Sequence, residues 1–455
     1  MVSETRAFRI AVIGGGIGGL CATLSLHHHC KQLNVDINVY EQAAQYKEIG
    51  AGIGIGVNAA KLLHKLEFGE EVNKIAGHRN GVWISFRRYD TGADIITVPA
   101  DDTKTIRQLP VHRAEFLDLL VRVIKERNAA TLHTNKACQK VIDNGSDVTI
   151  QFKDGTSASA DLVVGCDGIH SVLRSQFYTD NPRYSGRTCY RGLVPISQLE
   201  SWWPLKTYSA SWLGPDRHLL VFPISDNKTL NIVAFVATPE SELGGLKESW
   251  TATGDRNDTL KAFEDFDETV RKVIGSMPER PSKWVLNDRE PLDQWVFAGG
   301  KVVLMGDAAH AMLPHQGAGA GQAIEDGYIL ARAVQDHLRA VRSSSNGHAY
   351  GHSGDGKDDG ASLQRYMGLY QSVRLPRAQQ AQATARQAGE VYEMQRPDMV
   401  GKSYDDCLPL VRDALKDRMK WVWTADIDDA YEKARAAVIS GHSGIGDDYS
   451  GTVAS

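Results

Sequence analysis

An apolar, β-rich run, "FRIAVI" at 8–13, stops at "GGGIGG"; Leu20, Leu24 and Leu26 then mark a helix ending near His29, and the β-rich run "INVYE" follows. Strand, glycine turn, helix and strand in that order require a parallel pair joined by a right-handed crossover. "VHRAEFLDLLVRVIKER" predicts another helix, and "VTIQFKDGTSASADLVVGCDG" predicts a hairpin turning at Asp154 and Gly155, then a buried strand. Residues 1–185 are therefore expected to form the first part of a doubly wound α/β domain.

From 186 to 285 the pattern changes. "TCYRGLVPI", "KTYSASWL", "RHLLVFPI" and "TLNIVAFVA" are β-rich runs broken by polar turns such as "SDNK", which predicts an inserted antiparallel sheet, the substrate domain. The parallel texture returns at "KVVLMGD", so residues 286–342 should complete the first domain and make it discontinuous. The polar, glycine-rich stretch 343–362 reads as a flexible loop, and 363–455 as a C-terminal helical region with a frayed tail. The expected fold class is α/β: a Rossmann-like dinucleotide domain carrying an inserted antiparallel sheet.

Composition narrows the partners. A net charge of −5, with 24% charged and 42% hydrophobic residues, is ordinary for a globular chain, and no nucleic-acid partner is expected. The six cysteines form no CxxC pair, which excludes a zinc ribbon and favours a reduced, cytoplasmic setting. "HHHC" at 27–30 points successive side chains in different directions, so no metal site is expected there. The start lacks a signal-peptide core and no run of eighteen apolar residues occurs, so no membrane partner is expected either. Assembly as a homodimer is left open.

The glycine turn carries the first chemistry. Gly14 permits the tight turn, Gly16 lets the backbone approach a pyrophosphate, and Gly19 lets helix and sheet touch. The helix N-terminus beyond them offers NH groups and partial positive charge to phosphate. Glu41, at the end of "VYE", can accept both hydroxyls of an adenosine ribose and disfavours a 2′-phosphate, which suits NAD or FAD. Asp167 in "GCDG" and Asp307 in "LMGDAAH" each follow a strand, as if one long ligand lay across the crest of the sheet. A helix starting near Gly319 would aim its NH groups at the far end of that ligand; if that end is a flavin, they stabilise the reduced ring.

"GGGIGG" with Glu41, "GCDG" at 165–168 and "GDAAHAMLPHQGAGAGQAIEDG" at 306–327 resemble the three signatures of single-component FAD-dependent aromatic hydroxylases. "EIGAGIGIGVNAAKLL", "YRGLV" and "MLPHQGAGAGQ" are most similar to salicylate hydroxylases within that group. The resemblance implies FAD held by Gly14, Gly16, Glu41, Arg113, Asp307 and the backbone near Gly319. It also implies NADH or NADPH as co-substrate, without a second nucleotide domain, and Asp167 serving both flavin and nicotinamide. The implied reaction is hydroxylation of a small phenolic acid with O2 through a flavin C4a-hydroperoxide, and for salicylate it would yield catechol with loss of CO2.

A phenolate is a far better nucleophile than a phenol, so such a site needs a cation or a base near the hydroxyl. Arg191 is the candidate for the substrate's anionic oxygens and His315 for the phenolic proton; Phe222 and Pro314 are candidate pocket residues. Dearomatising hydroxylases of phenolic polyketides are similar over the same span and share an Arg like Arg191, but some carry Tyr where this chain has Phe222. Two readings of other classes stand beside these: a flavin-free NAD dehydrogenase, and an FAD-binding protein without hydroxylase activity. His310 is expected to be a structural hydrogen-bonding residue, and Trp202, Trp203, Trp212, Trp284, Trp295, Trp421 and Trp423 are expected to be packing.

Overall fold

The first strand, Phe8–Ile13, is buried from Ile10 onward, as expected of a strand covered on both faces. It pairs in parallel with Val35–Tyr40 on one side and Leu162–Gly165 on the other. Val302–Leu304 then pairs in parallel with Leu162–Gly165, and the short strand Val296–Phe297 closes that edge antiparallel. Thr131–His133 lies beside Val35–Tyr40 at the opposite edge. The sheet thus takes its strands from both ends of a long insertion, as the return of apolar texture at 302 predicted. The structure, a computed structural model, describes residues 6–46, 51–79, 81–100, 104–244, 252–346 and 358–439.

Helices Ile17–Cys30 and Gly319–Asn346 pack against one another on this sheet. Their contact is close at Gly327, where a Cβ would stand 2.7 Å from the Ala22 Cα. The predicted hairpin is present: Val148–Phe152 and Ser157–Ala160 pair across Gly155, whose φ of +84° explains the glycine.

The second sheet has seven strands in the order Ser282–Asp288, Arg183–Pro195, Thr229–Ala237, Arg217–Ile224, Ala210–Gly214, Val82–Arg88 and Asp94–Pro99. Its membership differs from the contiguous block 186–285 read from the sequence. Val82–Arg88 and Asp94–Pro99 come from the first segment, and Val82–Arg88 joins through a parallel pairing with Ala210–Gly214. No local pattern announces a parallel pairing across more than a hundred residues.

Strand periodicity divides this sheet's faces. Leu219, Val221, Leu230, Ile232 and Ala234 face a core closed by the helices Arg256–Ala262 and Glu268–Gly275. The alternate residues, Cys189 and Arg191, His218, Leu220 and Phe222, Val233 and Phe235, line a cavity on the other face.

The C-terminal region is helical: Asp358–Tyr392, Tyr404–Lys416, Lys420–Thr424 and Ile427–Ile439. The stretch 343–362, read as a loop, is helical at 343–346 and 358–362; residues 347–357 lie outside the described residues, as does the tail 440–455. No helix among the described residues is long and apolar enough to cross a membrane. No group of three or more His, Cys, Asp or Glu side chains among them could hold a metal ion.

Candidate active site

The carboxyl ends of four adjacent parallel strands carry the sequence motifs side by side. In spatial order they bring Gly306 and Asp307, then Asp167, then Gly14, then Glu41. Three inter-strand steps of roughly 4.8 Å put about 14 Å between the outer two strands, a span for a long ligand. At Gly14, φ is +104° and a Cβ would meet the Cys166 carbonyl oxygen at 2.3 Å; at Gly19 it would meet the Gly14 oxygen at 2.0 Å. Both positions therefore require glycine. At Gly16, which caps the first helix, a Cβ would meet nothing within 4 Å. That open space before a helix N-terminus is a cradle for a pyrophosphate.

Glu41 accepts from the NH groups of Gly15 (2.8 Å) and Ala43 (2.7 Å), which fixes its carboxylate while leaving lone pairs for a ribose. Asp307 opens the short helix Asp307–His310 and is exposed between buried neighbours, with no side-chain partner among the described residues. Asp167 is placed differently. Its carboxylate accepts from Ser171 Oγ (2.5 Å) and from the NH groups of Val172 (2.7 Å) and Leu173 (3.2 Å), so it caps the helix Val172–Phe177. Burial pushes its carboxyl above the ordinary range despite these donors.

Beside the crest lies a cavity of about 250 Å³. Arg113, Arg191, Phe222, Pro314, His315 and Gly319 all line it, so the candidates from three distant segments converge. Arg191 donates to the Gly52 carbonyl (2.9 Å) and lies over the Trp284 ring, 4.1 Å from its centroid. Burial lowers its pKa to about 10, with Arg113 nearby adding to the effect. Arg79 also lines the cavity, bonded to the Trp83 carbonyl (2.6 Å) and Ser209 Oγ (2.8 Å) and lying over Phe222. No Asp or Glu is among the described residues of the wall. Three arginines in a mostly apolar wall without a carboxylate make a site for an anion carrying a flat ring.

His315, in the turn Pro314–Gln316, packs against Phe235, Tyr392 and His218, and neither ring nitrogen has a hydrogen-bond partner. Burial lowers its pKa to about 3, so it is neutral near pH 7, with an unpaired ring nitrogen able to accept a hydrogen bond.

The FAD binding domain family model matches residues 7–355. Salicylate hydroxylase from Pseudomonas putida is 32% identical over 98% of this chain and 99% of its own length. The chain belongs to this family of FAD-dependent monooxygenases. It is also 33% identical to a 3-amino-4-hydroxybenzoate 2-monooxygenase from Streptomyces platensis, over 87% of this chain and 91% of that one. A solved salicylate hydroxylase substrate complex superimposes with a TM-score of 0.77 at 30% identity, covering 94% of this chain and 98% of that one.

As in a flavoprotein monooxygenase, the cofactor is FAD, with NAD(P)H as reductant, and the crest fits it. The open cradle at Gly16, the carboxylate acceptors on outer strands and the helix N-terminus at Gly319 suit pyrophosphate, polyol and ring. A flavin-free dehydrogenase would need neither Asp307 nor the helix N-terminus at Gly319.

Beneath the crest lies a network the sequence motif contained without declaring. Asp326 accepts from the Gly306 NH (2.9 Å), from His310 Nε2 (2.6 Å) and from Arg374 (2.8 Å). It thereby fixes the turn that presents Asp307, and His310 has the structural role expected of it. Glu325 accepts from Asn58, Arg374 and Arg377, and Arg377 also donates to the Val422 carbonyl (2.8 Å). Met419, Val422 and Trp423 in turn line the cavity, so the C-terminal region is one of its walls. Sequence reasoning missed His218, Arg79, Trp83 and Tyr392, and it assigned the wall residues Trp284 and Trp423 to packing alone.

Proposed function

We propose that the enzyme hydroxylates a small phenolic acid, and that salicylate is converted to catechol with loss of CO2. The observation that carries this reading is a cavity wall, without Asp or Glu among its described residues, that brings together Arg191, Arg113 and the neutral imidazole of His315. Arg191 binds the substrate's anionic oxygens, and its buried guanidinium, short of water, gains most from an anionic partner. His315 accepts the phenolic proton and so raises electron density on the ring. When bound and reduced by NAD(P)H, FAD supplies the activation of O2. The apolar wall of Leu220, Phe222, Val233 and Phe235 keeps water from the reacting oxygen.

The balanced reaction is salicylate anion, O2, NAD(P)H and two protons giving catechol, CO2, NAD(P)+ and water. A panel of phenolic acids, screened for stimulated NAD(P)H oxidation with product identification, tests it. Salicylate should stimulate oxidation and give catechol. A dihydroxybenzoate that keeps the carboxyl group would assign the enzyme to ring hydroxylation, and a non-aromatic dienone to dearomatisation.

A further inference from the structure

Strand pairing sets five cavity-facing residues in one row across the second sheet. Arg191 pairs with Val233, Val233 with Leu220, Leu220 with Ser211 and Ser211 with Phe86, and all five line the cavity. Three inter-strand steps of roughly 4.8 Å put about 14 Å between the strands of Arg191 and Ser211, and a fourth step reaches Phe86 at about 19 Å. The Arg191 guanidinium lies over Trp284, which belongs to the neighbouring strand on the side away from Ser211, so an anion held by Arg191 sits at one end of the row. A benzene ring with its carboxylate is about 7 Å long, one and a half strand steps. Anchored on Arg191, it reaches no farther than Leu220.

The rest of the row is shaped for something more. Leu220 stays partly exposed in the middle of the sheet, because the cavity lies in front of it. Beyond it Phe86 and Ile84, with Trp83, Tyr392 and Met419, enclose an apolar end. In this apolar stretch stands the Ser211 hydroxyl, in a residue 1% exposed, and its Oγ has no hydrogen-bond partner among the described residues. A buried hydroxyl left without a partner costs free energy that an oxygen on a ligand would recover.

Building on the phenolic-acid reading, we propose that the preferred substrate carries an unbranched acyl chain at the ring carbon opposite its carboxylate. The ring lies against Val233 and Leu220, the chain's carbonyl oxygen accepts from Ser211 Oγ, and the apolar end of the chain lies against Phe86. The strand of Phe86 is about 9 Å beyond the ring; less a contact distance of about 4 Å, the gap takes an acyl chain of about five carbons. Salicylate itself fills only the Arg191 end.

The test compares salicylate with salicylates that bear an ethyl, pentyl, nonyl or pentanoyl group at that ring carbon. Dissociation constants are read from the perturbation of flavin absorbance in the oxidised, FAD-loaded full chain, and products are identified after NAD(P)H is added. The pentyl compound should bind about tenfold tighter than salicylate, with ethyl between them and nonyl falling back, because the row ends at Phe86. The pentanoyl compound should bind about tenfold tighter than the pentyl one, and Ser211→Ala should bring that ratio to about one. Pentyl binding no tighter than salicylate, or binding that still rises through nonyl, would overturn the chain site and leave the phenolic-acid reading standing. A pentanoyl preference that survives Ser211→Ala would overturn the part given to Ser211. Failure of every one of these phenolic acids to bind or to be hydroxylated would overturn both readings.

Discussion

Asp307 is an exposed carboxylate without a side-chain partner, held in place by a turn that Asp326 fixes from below. Asp307→Ala should therefore give folded protein that binds FAD about 10- to 100-fold more weakly, the loss of one charge-assisted hydrogen bond of about 1–3 kcal/mol. Flavin absorbance per mole of protein reads it, and wild-type occupancy would remove Asp307 from the site. His315→Ala should keep FAD and slow hydroxylation by about 10² to 10⁴. His315 also makes folding pH-dependent. An unfolded histidine takes up its proton near pH 6.5, whereas the folded one does so only near 3. Stability should thus fall as pH drops from about 6.5 toward 3, by on the order of a few kcal/mol, and His315→Gln should flatten that slope in urea melts. Gly14, Gly16, Gly19 and Glu41 were legible because their task is local: a turn, a helix start and a strand end within thirty residues. His218, Arg79 and Trp83 were not, since each becomes a wall residue only when strands from 82–88 and 217–224 share a sheet.

At the scale of elements, the glycine turn separates two effects that a single motif conflates. Gly14→Ala forces a Cβ against the Cys166 carbonyl at positive φ, so it should destabilise the apoprotein as well as weaken FAD binding. Gly16→Val adds bulk into empty space, so apoprotein melting should change little while flavin occupancy drops. Equal occupancy in Gly16→Val and wild type would show that the cradle is not where the cofactor lies. The parallel sheet was readable because its buried strands are continuous apolar runs ending in glycine and acid. The inserted sheet was readable strand by strand, but its far edge was not, because Val82–Arg88 and Asp94–Pro99 pair outside their own segment.

Across the whole molecule, one ion-pair network ties the Gly306–Asp307 turn to the C-terminal wall of the cavity. Arg377 bonds Glu325 with two donors and also holds the Val422 carbonyl, next to Trp423, whose ring meets Trp83 edge-on at 4.9 Å. Arg377→Ala should loosen that wall and admit water, so that several-fold more NAD(P)H is oxidised per product formed, read as peroxide released. Oxidative decarboxylation of a phenolic acid in the arginine-lined cavity is tested with carboxyl-labelled salicylate under ¹⁸O2. One labelled CO2 and one catechol carrying a single ¹⁸O per NAD(P)H consumed is the predicted result. Label retained in the aromatic product, or NAD(P)H oxidation with no ¹⁸O in any aromatic product, would contradict it.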